Sequence, residues 1–216
     1  MSNRYDAILY DLDGTLTDSI PLIMKCFHLA YIEVLGECTR TDEDLMSYIG
    51  QPLLKTFSDV HDDDTARQLF EAYLRINEAM LHNDELDLFP GVLDSLKRLK
   101  SAGVKQGIMT SKRRDSLMIT LELKGMVPLF EQITALEDTV EHKPAAEPLI
   151  YSAAQMGISD MSRVLYVGDA IVDYECAINS GADFALVRWT RMDLAPFVAK
   201  GMPRVIGSID ELLQYE

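Results

Sequence analysis

A chain of 216 residues is long enough for one sizeable core, or for one core carrying a small inserted unit. Apolar residues make up 48% and charged residues 25%, as in ordinary globular proteins, and the formal net charge is −15. That balance, with no polybasic segment, argues against nucleic acid and against an anionic membrane surface as partners.

An anionic substrate would need something other than bulk charge to attract it, and a bound cation is the obvious candidate. The three cysteines, Cys26, Cys38 and Cys176, are odd in number and show no CxxC spacing. A disulfide framework and a zinc site are therefore not expected, and the thiols read as small packed apolar groups. No apolar leader follows a basic segment, and nothing approaches the roughly 20 apolar residues of a membrane span. The expectation is a cytoplasmic protein.

In chain order, residues 7–10 read as a short buried strand. Ser19 offers a helix N-cap with Pro21 in the first turn, and Leu22, Cys26, Leu29, Tyr31 and Leu35 continue a helical pattern to Gly36. Helical character persists to about residue 86, with one apolar stripe through Met46, Ile49, Leu53 and Phe57 and another through Leu69, Tyr73, Ile76 and Met80. The acidic run Asp62-Asp63-Asp64 reads as a helix start.

Pro90-Gly91 is a turn, and Val92, Leu93, Leu96 and Leu99 give an amphipathic helix closed by Gly103. Strands at 104–109, 132–135, 164–167, 184–187 and 204–206 then alternate with helices at 115–124, 148–156, 172–179 and 209–213. Such alternation predicts an α/β fold: a Rossmann-like, mostly parallel sheet with helices on both faces. The helical stretch breaks this rhythm after the first strand, so the expected organisation is an α/β core of residues 1–17 and 87–216 with an all-α cap domain inserted at 18–86.

In a parallel sheet the loops leaving the strand C-termini share one edge, where ligands bind. The first strand ends in Asp11-Leu12-Asp13-Gly14-Thr15 and the second in Thr110-Ser111-Lys112. Glu141-His142-Lys143-Pro144 follows the third, and Gly168-Asp169 ends the fourth, with Asp173 four residues on. Each motif alone has an ordinary reading: a polar turn, an N-cap, a surface lysine. Together, at successive strand ends, they describe a site. Hard cations such as Mg²⁺ take oxygen ligands, and Asp11 and Asp169 could hold one between them. Without it the carboxylates would repel and some would protonate; with it the rim would attract a phosphate.

These segments resemble the motifs of the haloacid dehalogenase-like hydrolase superfamily. "DLDGTLTDS", "IMTSK", "EHKP" and "VGDAIVD" resemble its four motifs, and "FPGVLDSLKRLKSAG" and "AINSGAD" resemble its phosphoglycolate phosphatase-like branch. The resemblance implies that Asp11 is the nucleophile and forms an aspartyl-phosphate, while Asp13 protonates the leaving oxygen and later deprotonates water. Thr110, Lys143 and Ser111 would hold phosphoryl oxygens, and Asp11, the Asp13 backbone carbonyl and Asp169 would ligate Mg²⁺. Asp173 would act behind them by orienting Lys143 or through water. "YIGQPLLKTF" resembles a cap stretch whose glycine loop faces the active site, so Gly50 and Gln51 are candidate substrate contacts in a cap that closes over a small phosphorylated metabolite.

The sequence departs from the family pattern at Ser111, Ala146 and Ala170, none of which removes a reacting group. The expected activity is a Mg²⁺-dependent phosphatase for a small phosphate monoester, with phosphoglycolate, pyrophosphate, nucleoside monophosphates and sugar phosphates all suiting a small cap. A β-phosphoglucomutase-type phosphomutase shares the core, but Thr15 follows Gly14 here, where such mutases commonly read Gly-Val. A non-catalytic phosphate-binding module is opposed by the intact set of Asp11, Asp13, Thr110, Lys143 and Asp169. Arg188 and Trp189, after the fifth strand, are expected to pack locally.

Overall fold

The computed structural model describes residues 4–49 and 52–215. Gly50 and Gln51 lie outside the described residues. The chain forms two compact units, one from Met1–Asp18 with Leu88–Glu216 and the other from Ser19–Asp87.

The first unit is built on six strands: β1 (Ala7–Tyr10), β2 (Gln106–Met109), β3 (Gln132–Thr134), β4 (Val164–Gly168), β5 (Asp183–Val187) and β6 (Arg204–Ile206). Their order is β3-β2-β1-β4-β5-β6, and every pairing is parallel. β1 is central, with Ile8 opposite Gln106 on one side and Leu165 on the other. Apolar residues in succession suit a strand covered on both faces, and all four β1 residues are buried.

Alternate side chains of the sheet enter two different cores. Ile8, Tyr10, Leu165 and Val167 pack with helices α5 (Val92–Ser101) and α6 (Arg114–Leu123) through Leu96, Leu99, Leu117 and Leu121. Leu9, Met109, Tyr166 and Leu186 pack with α7 (Glu147–Gln155) and α8 (Ile171–Ser180) through Leu149, Ala153 and Ala177. Gln106 is buried in β2 yet satisfied: its Oε1 accepts the Tyr10 hydroxyl at 3.1 Å, and its amide donates to the Leu96 carbonyl at 3.0 Å.

The expected α/β architecture is present, with local differences. The helix expected at 209–213 is a 3-10 helix over Ile209–Tyr215. A short helix α9 (Ala195–Ala199), too brief to show a period, was not anticipated.

The second unit contains α1 (Ile20–Leu35), α2 (Asp42–Met46), α3 (Leu53–Ser58) and α4 (Asp63–His82). Its core gathers Phe27, Tyr31, Leu45, Tyr48, Phe57 and Leu69. Phe57 meets Phe27 edge-on, with ring centroids 6.1 Å apart at 89°. Asp62 caps α4 by accepting the N–H groups of Asp64 and Thr65, the helix start expected of that acidic run.

The expected helix from Ser19 to Gly36 is present, and the structure adds three local details. Leu29 and Leu35 are exposed, because the buried face of α1 runs through Ile23, Phe27, Ala30 and Tyr31 at helical spacing. The Met46-to-Phe57 stripe is not one helix: α2 and α3 are separate, and Pro52, which cannot donate, stands at the start of α3. Ser19 occupies the N-cap position of α1 in right-handed helical geometry, and among the described residues its buried hydroxyl finds no hydrogen-bond partner. Among the described residues no helix is long and apolar enough to cross a membrane.

Candidate active site

β1 ends at Tyr10, and the next residue, Asp11, is buried at the C-terminal edge of the sheet with its N–H donating to the Val167 carbonyl. Gly14 turns the chain back with φ +83°, its N–H donating to the Thr17 carbonyl. β2 ends beside it at Met109, so Thr110 follows, also buried. β4 ends at Gly168, delivering Asp169, and α8 begins at Ile171, which places Asp173 in its first turn.

Carboxylate oxygens of Asp11, Asp169 and Asp173 lie within 4.8 Å of one another. The ammonium of Lys143, from the segment after β3, stands among them. It is 2.8 Å from Asp11 Oδ1, 2.6 Å from Asp173 Oδ1 and 3.3 Å from the Tyr166 hydroxyl. The Lys143-Pro144 peptide is cis.

Two glycines permit this crowding. A Cβ on Gly14 would collide with Asp169 Oδ2, and one on Gly168 would stand 2.6 Å from the Asp173 Cβ.

Each carboxylate is held differently. Asp173 is saturated: Oδ1 accepts from Lys143, and Oδ2 accepts the N–H groups of Asp169 at 3.2 Å and Ala170 at 3.0 Å. Ala170, one of the departures from the family pattern, has no side chain to cap α8, and Asp173 meets its N–H from within the helix. Among the described residues the Asp169 carboxylate meets hydroxyls alone: Thr15 at 3.3 Å, and Thr190 at 3.3 Å, whose hydroxyl also lies 3.0 Å from the Asp169 carbonyl. Asp13 is paired with Lys112, whose Nζ lies 3.1 and 2.9 Å from its two oxygens. Ser111 is partly buried beside Thr110.

The electrostatics follow from burial and like charge. Burial pushes the Asp11 carboxyl up to about 6 against the pull of Lys143, with Asp173 and Asp13 adding repulsion. Burial, then Asp173 and Asp11, hold Asp169 well above the carboxylate range. Burial opposes the charge on Lys143, but Asp11 and Asp173 outweigh it and keep the amine an ammonium.

Fully ionised, three carboxylates and one ammonium would carry a net of two negative charges in a buried space, which is why burial and mutual repulsion favour protonation when no cation is bound. A hard divalent cation matches that deficit, and the oxygen-only donor set suits Mg²⁺. Asp169 meets neutral hydroxyls and Asp11 meets Lys143 through Oδ1, so these two are the better placed to offer an oxygen to a cation, whereas Asp173 is committed through both oxygens to Lys143 and the α8 backbone.

Thus the structure brings together Asp11, Asp169, Asp173 and Lys143, with Thr110 buried at the same sheet edge and Asp13 on the loop leaving Asp11. It also shows supporting groups that the sequence reading did not assign. Tyr166 sits within β4, where a tyrosine reads as core; its hydroxyl donates to the Met109 carbonyl at 2.9 Å and lies 3.2 Å from Asp173 Oδ1. Thr190 and Lys112 stand on loops that follow strands, and only the partner each finds distinguishes them. Trp189 packs against Phe89 and donates its indole N–H to the Thr15 carbonyl at 3.0 Å.

The family profile for haloacid dehalogenase-like hydrolase matches residues 8–187. Curated relatives include the Pyrophosphatase PpaX of Bacillus velezensis, 34% identical over 87% of this chain and 85% of the relative. The Pyrophosphatase PpaX of Bacillus pumilus is also 34% identical, over 86% of this chain and 84% of that protein. Among solved structures, a haloacid dehalogenase-like family hydrolase from Streptococcus pneumoniae superposes with a TM-score of 0.83 over 98% of both chains at 23% identity, a likeness of fold. With its four motif segments gathered at one sheet edge and a family match spanning both units, the chain belongs to the haloacid dehalogenase-like hydrolase family.

Proposed function

We propose that this hydrolase is a phosphatase that cleaves a small phosphate compound through an aspartyl-phosphate on Asp11, with Mg²⁺ as cofactor. The observation that carries the proposal is the convergence of Asp11, Asp169 and Asp173 within 4.8 Å around the Lys143 ammonium.

In this reading an Asp11 oxygen forms a bond to phosphorus as the bond to the leaving oxygen breaks. The electron pair stays on the leaving oxygen, which takes a proton from Asp13. Water then attacks the phosphorus, Asp13 takes the proton from that water, and Asp11 departs as a carboxylate with release of phosphate. Bound between Asp11 and Asp169, with the Asp13 carbonyl, Mg²⁺ would supply positive charge that keeps Asp11 ionised and draws the phosphate in.

Lys143 and Thr110 donate to the transferring phosphoryl oxygens, with Ser111 beside them. The three N–H groups of Lys143 already face Asp11, Asp173 and Tyr166, so a phosphoryl oxygen replaces the longest contact, that to the Tyr166 hydroxyl. The helical insertion acts as the cap, and contacts from Gly50 and Gln51 remain part of the proposal.

The names of the 34% identical relatives put inorganic pyrophosphate first among substrates, ahead of phosphoglycolate, nucleoside monophosphates and sugar phosphates, and they favour hydrolysis over phosphomutase chemistry. Among the described residues Cys26, Cys38 and Cys176 form no disulfide, which suits the cytoplasm. The test is turnover of para-nitrophenyl phosphate with Mg²⁺ by the protein and by Asp11→Asn. Turnover should vanish in the variant, and equal rates would overturn the assignment. Ranking a panel of phosphate metabolites by kcat/KM then identifies the substrate.

A further inference from the structure

Lys112 runs against the ordinary chemistry of helix ends. α6 opens with Arg113 at its N-cap and Arg114 at its first position, so Lys112, Arg113 and Arg114 set three cations in succession at the end where the helix dipole disfavours them. Arg114 is answered by Asp138, and Arg113 by a 3.5 Å contact to Asp115. Lys112 instead reaches the loop after β1 and grips both oxygens of Asp13, with only 9% of its side chain exposed.

Its backbone is anchored on both sides. The Lys112 N–H donates to Thr110 Oγ1 at 3.2 Å, and its carbonyl accepts the Leu136 N–H at 3.1 Å. The Thr17 hydroxyl adds a 3.3 Å contact to Asp13 Oδ1. The carboxylate assigned to proton transfer is therefore held on both oxygens, in an orientation set by Lys112 rather than by a leaving group. A largely buried ammonium does not release one anion unless it gains another.

We propose that Lys112 is a specificity-determining residue: it binds a second anionic group on the leaving side of the substrate, phosphoryl or carboxylate, and in exchanging Asp13 for that group it frees Asp13 for proton transfer. The inference rests on the phosphatase reading above. A substrate whose leaving group carries no anion gives Lys112 nothing to move to, so Asp13 stays held and turnover is slow. A substrate with two anionic ends satisfies both needs at once.

The experiment measures binding by calorimetry, with Mg²⁺ present, to the full chain and to Lys112→Met, Lys112→Gln and Asp13→Asn. The probes are inorganic phosphate, imidodiphosphate (which carries a second phosphoryl group) and 2-phosphoglycolate (which carries a carboxylate). Loss of the charge at 112 should weaken imidodiphosphate, 2-phosphoglycolate or both by about 30-fold, and phosphate by less than about threefold. Which of the two responds identifies the anionic group. Asp13→Asn, which leaves Lys112 without its anion, should bind the responding probe more tightly by about threefold or more. If Lys112→Met does not fold, Lys112→Gln carries the comparison under the same thresholds.

Equal weakening of phosphate and the two-anion probes, or no weakening of either, overturns the inference, as does unchanged or weaker binding of those probes by Asp13→Asn. Failure of the phosphatase reading looks different: the unmodified protein would bind none of the probes and would release no phosphate from pyrophosphate, 2-phosphoglycolate or para-nitrophenyl phosphate in the presence of Mg²⁺.

Discussion

Asp173 holds Lys143 in place: its Oδ1 lies 2.6 Å from the ammonium, while its Oδ2 accepts two backbone N–H groups at the start of α8. The position of Lys143 is thus tied to the end of β4 and the opening turn of α8. Asp173→Asn keeps the shape and removes the charge. We expect kcat to fall about 10- to 100-fold, with a smaller change in the affinity for Mg²⁺. Steady-state kinetics and a Mg²⁺ titration check this, and an unchanged kcat would deny Asp173 its positioning role.

Asp169 and Gly14 form a second pair. Asp169→Ala removes a carboxylate that would hold the cation, so Mg²⁺ affinity should drop at least about tenfold. Gly14→Ala should act on the same carboxylate from outside, because its Cβ would press on Asp169 and its φ of +83° is strained for alanine. We expect weaker Mg²⁺ binding together with about 1–2 kcal/mol of lost stability. Calorimetric Mg²⁺ titration and thermal melts separate the two effects.

The raised Asp11 carboxyl sets the pH dependence of the cation-free protein. With a folded value of about 6 and an unfolded value near ~3.9, the native state keeps a proton that the unfolded state has lost in the window between them. Stability therefore falls as pH rises through about 4 to 6, by on the order of 3 kcal/mol from Asp11. Asp169, held higher still, has the same sign. His61, lowered by partial burial and then by Arg40, has the opposite sign, but it is one group against two. The melting temperature in chelator should fall between pH 5 and pH 7, and Mg²⁺ should flatten the slope. A rise in chelator over that range would contradict the account.

Ser19 gives a prediction contrary to its sequence context. An N-cap serine ordinarily contributes about 1 kcal/mol, yet here the buried hydroxyl finds no partner among the described residues and makes no cap bond. Ser19→Ala should be neutral or stabilising by up to about 1 kcal/mol in chemical denaturation. A loss of 1 kcal/mol or more would show that the hydroxyl does cap α1.

The sequence by itself determined the sheet and which polar residues stand at its C-terminal edge. Apolar runs too short for helices, spaced by amphipathic segments, specify parallel strands, and parallel strands carry their following loops to one edge. Asp11, Thr110 and Asp169 were legible for that reason. So was Asp173, which lies one helical turn beyond the end of β4.

Only the tertiary structure decided what those groups touch. Lys112 and Thr190 are polar residues in turns, and nothing local in their sequence distinguishes one that meets Asp13 or Asp169 from one that meets water. Tyr166 and Ser19 show the same limit from the other side, since burial was readable but the partner, or its absence, was not. Periodicity reports which face of an element is apolar; a hydrogen bond between residues 99 or 132 positions apart, such as Lys112 to Asp13 or Lys143 to Asp11, depends on the whole fold closing first.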